Sequence, residues 1–157
     1  MSEQTGILFL DVDGVLNASG QTKERFHGLL GICLVMMHRL HRILLATDCR
    51  VVVSSTWRKH PAHLEHLKEC MGPVAAARIV GTTPVLDAQA PSGLWTGQSR
   101  GNEIKAWLDK HPAVTRFVIL DDDFDLGGLL PHHVATNTFE GLTDEQAAEA
   151  IRRLNAV

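Results

Sequence analysis

The segment from Ile7 to Asn17 carries two carboxylates that could act on one ligand. Its four apolar residues, Ile7 to Leu10, are typical of a buried strand, and Asp11 and Asp13 follow two positions apart, before a glycine. At the end of a strand, this spacing directs both acids and the amides of the turn into one pocket. Two acids held close together are unfavourable unless a cation or a proton compensates their charge. The segment therefore indicates a hard metal ion, acid–base chemistry, or both.

Composition limits the classes of protein to which the chain can belong. With 157 residues, 45% of them hydrophobic, and a net charge of −3, the sequence predicts one globular domain over residues 1–157 and no strong attraction to duplex nucleic acid. Tyrosine is absent and aromatic residues make up 5%, which argues against a conventional base-stacking surface. The three cysteines have no paired spacing. We expect a cytoplasmic protein with no zinc site, signal peptide or membrane-spanning segment.

Apolar patterns along the chain alternate between those of strands and those of helices. After the first strand, the predicted elements are a polar connection at Ala18 to Gly28, a helix carrying Ile32 to Ile43, a strand at Arg50 to Val53, a helix at Pro61 to Met71, a strand at Ala77 to Thr82, a loop at Pro84 to Gly101, a helix at Asn102 to Lys110, a strand at Thr115 to Leu120, a strand at His133 to Thr136, and a helix capped by Thr143 with Gln146. This alternation predicts an α/β fold of three layers, a Rossmann-like, mostly parallel sheet with helices on both faces.

Polar residues follow three of the predicted strands. Asp11 and Asp13 follow the first, Ser54–Ser55 follow the second, and an acidic run beginning with Asp121–Asp122 follows the third, while Arg100 precedes the helix that leads into that third strand. In a parallel sheet, ligands bind at the carboxyl ends of the strands. Carboxylates from two strands can hold a divalent ion, and hydroxyl and guanidinium groups suit a phosphoryl oxygen. The sequence therefore predicts a magnesium-assisted phosphoryl-transfer site.

These motifs, in this order, resemble those of the haloacid dehalogenase (HAD) superfamily of phosphohydrolases. Asp11-Val12-Asp13-Gly14-Val15 resembles the first motif of that family, Val51-Val52-Val53-Ser54 the second, and Val118-Ile119-Leu120-Asp121-Asp122 the fourth. The third motif is usually a lysine; here Arg100 is the better placed candidate, and Lys105 fits the looser spacing of some members. Within the superfamily, Ser54-Ser55-Thr56-Trp57-Arg58 and Arg100-xx-Glu-Ile-xx-Trp-Leu resemble a subgroup associated with RNA repair.

The resemblance implies a catalytic role for each acid. Asp11 would be the nucleophile that forms an aspartyl-phosphate. Asp13 would protonate the leaving oxygen and then activate the water that hydrolyses the intermediate. Mg²⁺ would be held by Asp11, by the backbone carbonyl of Asp13, and by Asp121 or Asp122.

The resemblance also implies the residues that bind the phosphate. Ser54 would donate a hydrogen bond to a phosphoryl oxygen, with Ser55 beside it, and Arg100 or the alternative Lys105 would balance the phosphoryl charge. Arg58 lies just beyond the second motif, so we expect it to contact the substrate.

Other polar groups have simpler interpretations. His60, His63 and His66 recur every third residue, a spacing that drifts around a helix, so we predict a solvated face rather than a metal site. The pair His132–His133 is predicted to lie at the surface, and Asp123 to Asp125 to be a solvated acidic loop.

The lengths of the connecting segments bear on the substrate. The segments in which this family inserts a cap domain are short here, so we expect no large cap domain. An open site admits bulky or macromolecular phosphomonoesters, such as a phosphorylated nucleic-acid end or a phosphoprotein. Two alternatives stay open. One is a nucleotidase or small-metabolite phosphatase covered by the loop at Pro84 to Gly101 or by a partner; the other is a non-catalytic, Mg²⁺-binding regulatory domain.

Overall fold

The computed structural model describes residues 5–86 and 99–156. Within these ranges the chain forms seven strands: β1 (Ile7–Leu10), β2 (Arg25–Phe26), β3 (Leu29–Leu30), β4 (Arg50–Val53), β5 (Ile79–Thr82), β6 (Phe117–Asp121) and β7 (His133–Ala135). Five of them form one parallel sheet in the order β5-β4-β1-β6-β7, with β1 at its centre. The other two, β2 and β3, form a separate antiparallel hairpin.

Helices connect the strands of the sheet. The described part of the chain contains α1 (Leu34–Ala46), α2 (Pro61–Met71), α3 (Pro73–Ala76), α4 (Ser99–Asp109) and α5 (Asp144–Leu154). Two short 3-10 helices span Thr56–Lys59 and Gly127–His132. The predicted alternation of strands and helices is therefore confirmed.

The central strand β1 divides its side chains between two apolar cores. Leu8 and Leu10 belong to the core formed with α1, α2 and α5, whereas Ile7 and Phe9 belong to the core formed with α4. Successive side chains of a strand point to opposite faces, so a wholly apolar strand must be covered on both. On the α4 face, the ring of Phe9 meets that of Trp107 edge-to-face, with 5.4 Å between centroids. The fold is the three-layer, Rossmann-like α/β fold that the sequence predicts.

Local signals in the sequence fix the ends of two helices. Helix α2 has the predicted bounds, with Pro61 in its first turn and Gly72 following it with φ of 82°. At the start of α5, Thr143 and Gln146 form the predicted capping box: each side chain accepts a hydrogen bond from the backbone amide of the other, at 3.3 and 2.9 Å.

The structure differs from the predicted elements at several boundaries. Helix α1 begins at Leu34, so Ile32 lies before it, and the two apolar residues at its start face solvent, Val35 with 53% exposure. Helix α4 begins at Ser99, inside the predicted loop, of which residues 87–98 lie outside the described ranges. The polar connection after β1 contains β2, and β3 follows it directly; the two-residue strands of this hairpin are too short to show alternation.

The described residues contain no separate cap domain, since the hairpin of β2 and β3 is the insertion between β1 and α1. None of the described helices is both long and apolar enough to span a membrane. Cys33, Cys49 and Cys70 carry free thiols. A cytoplasmic location stays a prediction.

Candidate active site

The carboxyl ends of β1, β4 and β6 bring the predicted site residues together. The parallel register aligns Leu10 of β1 with the last residue of β4 and with Leu120 of β6. Asp11, Ser54 and Asp121 come next on the three strands, so they lie side by side at one edge of the sheet. Backbone hydrogen bonds fix this arrangement, from the amide of Asp11 to Leu120 at 3.1 Å and from the amide of Ser54 to Leu10 at 2.8 Å.

Three carboxylates form a cluster at this edge. Asp11, Asp121 and Asp122 each place an oxygen within 4.8 Å of the others, and the first two are buried. Burial, followed by the charge of Asp121, raises the pKa of Asp11 well above its usual value, although Arg100 opposes the shift. Burial also raises the pKa of Asp121 to about 7. Without a counter-charge, this cluster therefore favours protonated acids.

The cluster has the donor set of a site for a hard cation. Its ligand atoms are carboxylate oxygens, which Mg²⁺ prefers. Within the described residues, the buried Oδ2 of Asp121 accepts no hydrogen bond, and its nearest cation is Nε of Arg100 at 3.4 Å. A divalent cation would satisfy this oxygen and offset the charge of the three acids. The residues present fit a magnesium ion.

The carboxylate of Asp13 is held apart from the cluster. It accepts a hydrogen bond from Nδ2 of Asn17 at 2.8 Å, and Nε1 of Trp57 lies 3.2 Å from both of its oxygens. Neither donor was predicted from the sequence. Asn17 could have been, because it lies only four residues beyond Asp13, whereas the contact with Trp57 spans 44 residues. The two acids of the first motif thus have different surroundings, which permits different roles.

A glycine allows the turn of the first motif to approach the acidic loop. Gly14 has φ of 78°, and a Cβ atom there would overlap the carboxylate of Asp122. Its amide donates to Oδ1 of Asn17 at 3.0 Å, and its carbonyl oxygen accepts from the hydroxyl of Thr136 at 2.7 Å. Thr138 donates to Asp122 at 2.7 Å. The two threonines, which have no signal in the sequence, connect the turn and the acidic loop to the segment after β7.

Ser54 and Arg100 complete the edge of the site. Ser54 is buried, and its hydroxyl has no hydrogen-bond partner among the described residues. Arg100 donates a hydrogen bond from Nη1 to the carbonyl oxygen of Ser54, and its guanidinium pairs with Asp121. Lys105, by contrast, is exposed and binds Asp109 at 3.1 Å. The geometry therefore favours Arg100 over Lys105 as the cation of the site.

Close packing at the start of α4 positions Arg100. A Cβ atom on Gly101 would lie 2.6 Å from the backbone oxygen of Leu126, so a larger residue would push the helix away. The carbonyl oxygen of Asp125 accepts from the amide of Gly101 at 2.9 Å, and its side chain accepts from the amide of Arg100 at 3.3 Å. Asp125 is therefore not part of a solvated loop, which corrects the sequence-based interpretation; Asp123 is exposed, as predicted.

Comparison with protein families identifies the chain. A model of the HAD domain in Swiss Army Knife RNA repair proteins matches residues 7–147. The chain belongs to this family. It is a HAD phosphohydrolase domain of the RNA-repair subgroup, as the motifs predicted, and the residues of the acidic edge all lie within the match. Comparisons with curated proteins and with solved structures give no match.

Two other residues predicted to contact the ligand, Ser55 and Arg58, bind groups within the HAD domain instead. Ser55 caps the 3-10 helix at Thr56–Lys59, its hydroxyl accepting from the amide of Trp57 at 3.2 Å. Arg58 has a side chain only 2% exposed, pairs with Glu103 at 2.6 Å, and donates to the carbonyl oxygens of three residues, namely Ser55, Thr83 and Pro84. This arrangement does not favour the contacts with phosphate and substrate predicted for Ser55 and Arg58. Arg58 instead ties the second motif to α4.

The histidines of the HAD domain lie differently from the sequence-based expectation. His133 is buried, and its Nε2 donates to the carbonyl oxygen of Asp121 at 2.8 Å. This hydrogen bond holds the backbone at the start of the acidic loop. His63 and His66 are half-buried, and His66 stacks on Phe26 at 3.9 Å. The prediction of a solvated histidine face is therefore wrong for His63 and His66, because the hairpin of β2 and β3 folds onto α2, whereas His60 is exposed as predicted.

Proposed function

We propose that this HAD domain hydrolyses phosphomonoesters through an aspartyl-phosphate on Asp11, with Mg²⁺ as cofactor. The supporting observation is the cluster of Asp11, Asp121 and Asp122 beside the unpartnered hydroxyl of Ser54. The three carboxylates and the backbone carbonyl of Asp13 would hold the ion. When bound, Mg²⁺ would offset the charge of the acids and polarise a phosphoryl oxygen.

In this proposal, Asp11 attacks phosphorus while the bond to the leaving oxygen breaks. Ser54 donates a hydrogen bond to one phosphoryl oxygen, which satisfies its buried hydroxyl. The guanidinium of Arg100, already beside Asp121, balances the charge of the transferring group. Together these groups hold the phosphoryl group in line with the nucleophile.

Asp13 moves the protons of both half-reactions. It gives a proton to the leaving oxygen and later accepts one from the water that attacks the phosphoryl-Asp11 intermediate. Asn17 and Trp57 hold its carboxylate in place, which keeps it out of the metal cluster. This separation leaves Asp11 as the nucleophile and Asp13 as the proton shuttle.

The substrate in this proposal is a bulky phosphomonoester, with a phosphorylated nucleic-acid end favoured over a phosphoprotein. The lack of a separate cap domain among the described residues supports it. Membership in a family of RNA-repair HAD domains supports a nucleic-acid substrate. We take residues 1–157 as one catalytic domain.

A panel of phosphomonoesters tests the function. With Mg²⁺, we expect phosphate release from phosphorylated oligonucleotides, with kcat/KM above that of nucleoside monophosphates and phosphopeptides by about tenfold or more, which corresponds to about 1.4 kcal/mol of additional contacts. A chelator should stop the release, and Asp123→Asn, which alters an exposed acid of the same loop, should not. Faster hydrolysis of nucleoside monophosphates would favour a nucleotidase, and Mg²⁺ binding without turnover of any ester would favour a regulatory domain.

Mg²⁺ should stabilise the domain more near neutral pH than in acid. Because the folded-state pKa of Asp121 is about 7, the metal-free fold retains protons that the unfolded chain loses near its usual, lower pKa. The contribution of Asp121 to the stability of the metal-free protein is therefore fully present below about pH 4, and it is lost as the pH rises through about 7. Mg²⁺ replaces those protons as counter-charge. Melting temperatures with and without Mg²⁺, at about pH 5 and about pH 7.5, measure this difference.

Asp121→Asn provides the corresponding variant. It should raise the metal-free stability at about pH 7.5 by about 1–3 kcal/mol and remove most of the Mg²⁺ effect. Asp123→Asn makes the same change of charge at an exposed position of the same loop, and should leave the Mg²⁺ effect intact. An equal Mg²⁺ shift at both pH values, or a full shift in Asp121→Asn, would contradict the proposed metal site.

A further inference from the structure

Six ring side chains pack together beside Asp13, where the hairpin of β2 and β3 meets α2 and the 3-10 helix before it. We call them the ring cluster; its members are Phe26, His27, Trp57, His60, His63 and His66. Four of the nine histidines of the chain lie in this one cluster. Apart from Trp57, which holds the carboxylate of Asp13, none of the six rings takes part in the proposed mechanism.

The ring cluster extends from the active site to the surface. Its inner end is Trp57, which is buried, binds Asp13 through Nε1, and lies 5.4 Å from His63 between ring centroids. Its outer end consists of His27 and His60, both exposed. His60 lies 4.9 Å from His63, so the rings are continuous from Asp13 to solvent. A ligand at the surface on this side would meet the exposed rings of His27 and His60.

Packing leaves one polar atom of this cluster unsatisfied, and no three-ligand metal site among the described residues includes its histidines. Nδ1 of His63 is buried without a hydrogen-bond partner in the described ranges, and an unsatisfied polar atom disfavours folding. Among the described residues, the acids Asp11, Asp121 and Asp122 are the group that brings three ligand atoms within 4.8 Å; no such group includes these histidines. The exposed rings at its outer end, those of His27 and His60, can stack on an organic ligand with a flat ring.

The position of the cluster relates it to the leaving group, an inference that rests on the proposed function. Asp13 protonates the leaving oxygen, so the group attached to that oxygen must lie on the side of Asp13. That side leads through Trp57 to the ring cluster. At a nucleic-acid end, the group attached to the leaving oxygen is a sugar that carries a nucleobase, and bases stack on aromatic rings.

Charges beside the cluster also match a nucleic acid. Arg25 directly precedes Phe26, and Lys59 directly precedes His60. Both cations are exposed and form no ion pair within the described part of the chain. Cations of this kind suit the phosphodiesters that follow a terminal nucleotide. A phosphoserine peptide carries neither a base nor a regular series of phosphates.

We propose that the ring cluster binds the nucleobase of the terminal nucleotide, with His27 and His60 stacking on the base and Lys59 and Arg25 beside the next phosphate. The site would then select single-stranded phosphorylated ends, because a paired terminal base is not free to stack there. The proposal gives this HAD domain a specificity surface outside its catalytic edge.

The test compares two single-stranded oligonucleotides with the same terminal phosphate, one intact and one with an abasic terminal nucleotide. Removing the base should lower kcat/KM about fivefold to a hundredfold, the range expected from the loss of one stacked base. His27→Ala should lower kcat/KM for the intact oligonucleotide about tenfold and leave that for the abasic one unchanged. His27→Phe, which keeps a ring, should restore the difference. His38→Ala, an exposed histidine on α1, is the matched control.

A binding measurement separates this inference from the proposed function. In Asp11→Asn, the proton resonances of the His27 and His60 rings should shift upfield with the intact oligonucleotide and stay in place with the abasic one. Equal rates on both oligonucleotides, without ring shifts, would overturn the inference and leave the phosphatase intact. Base-dependent shifts in Asp11→Asn, together with a wild-type protein that hydrolyses neither oligonucleotide, would overturn the proposed function and support the ring cluster. Faster hydrolysis of a phosphoserine peptide would overturn the nucleobase assignment.

Discussion

Asp11→Asn should reduce Mg²⁺-dependent phosphate release by about ten-thousandfold or more. A neutral amide cannot attack phosphorus as a carboxylate does, and the cluster with Asp121 and Asp122 loses one charge. The fold should persist. Burial raises the pKa of Asp11 because the charged carboxylate is unfavourable there, and a neutral amide removes that charge. Phosphate release, measured together with the thermal unfolding of the variant, checks both parts of this expectation.

The matched control is Asp123→Asn, which makes the same change of chemistry in the exposed part of the acidic loop. It should retain wild-type turnover and Mg²⁺ dependence. Substantial phosphate release by a purified, folded Asp11→Asn protein would show that another group, or a water molecule, is the nucleophile. Loss of activity in both variants would mean that the assay responds to charge at this edge rather than to the nucleophile.

Asp13→Asn should slow the hydrolysis of unactivated phosphomonoesters by about a hundredfold to ten-thousandfold. An alkoxide at a nucleic-acid end is a poor leaving group and needs the proton from Asp13. An aryl phosphate does not, so the variant should still release one equivalent of phenol rapidly and then turn over slowly, because the attacking water lacks its base. Stopped-flow measurement of phenol release, alongside steady-state phosphate release, detects this burst.

Two leaving groups in one variant provide the internal control for this second prediction. The burst should vanish in Asp11→Asn, since no phosphoenzyme can form there. An equal loss of rate for alkyl and aryl esters in Asp13→Asn, without a burst, would contradict the role of Asp13 as proton shuttle. Trp57→Phe keeps the ring in the cluster but removes the indole donor to Asp13. Trp57→Phe should lower the rate of alkyl-ester hydrolysis more than that of aryl-ester hydrolysis, by a smaller factor than Asp13→Asn does.

The arrangement of the candidate active site could be predicted because its residues follow the apolar strands directly. Asp11, Ser54 and Asp121 each come next after a buried strand, and the parallel register then places them side by side. Helix ends with strong local chemistry, such as Gly72 after α2, could also be predicted. In each case the decisive interaction lies within a few residues, or follows from the geometry of a parallel sheet.

The features that could not be predicted depend on contacts between segments that are distant in the sequence. The histidine spacing on α2 gives no indication that Phe26 will stack on His66, because the hairpin that carries Phe26 has strands of two residues. The position of Arg58 after the second motif predicts a contact with substrate. Its side chain is instead buried against Glu103, which lies 45 residues away in the sequence. The start of α4 could not be predicted from the sequence, because glycine normally disfavours a helix. At Gly101 the lack of a side chain is what allows the close contact with Leu126.

The most direct measurement asks where the phosphate is attached during turnover. Asp13→Asn is mixed with Mg²⁺ and an aryl phosphate, quenched in acid during the burst, and digested for peptide mass spectrometry, with wild-type protein and Asp11→Asn treated in parallel. We predict one phosphoryl group, located on Asp11 in the peptide that contains the first motif, and none in Asp11→Asn. A phosphoryl group on another residue, or continued turnover with no phosphoenzyme in any quenched sample, would contradict nucleophilic catalysis by Asp11.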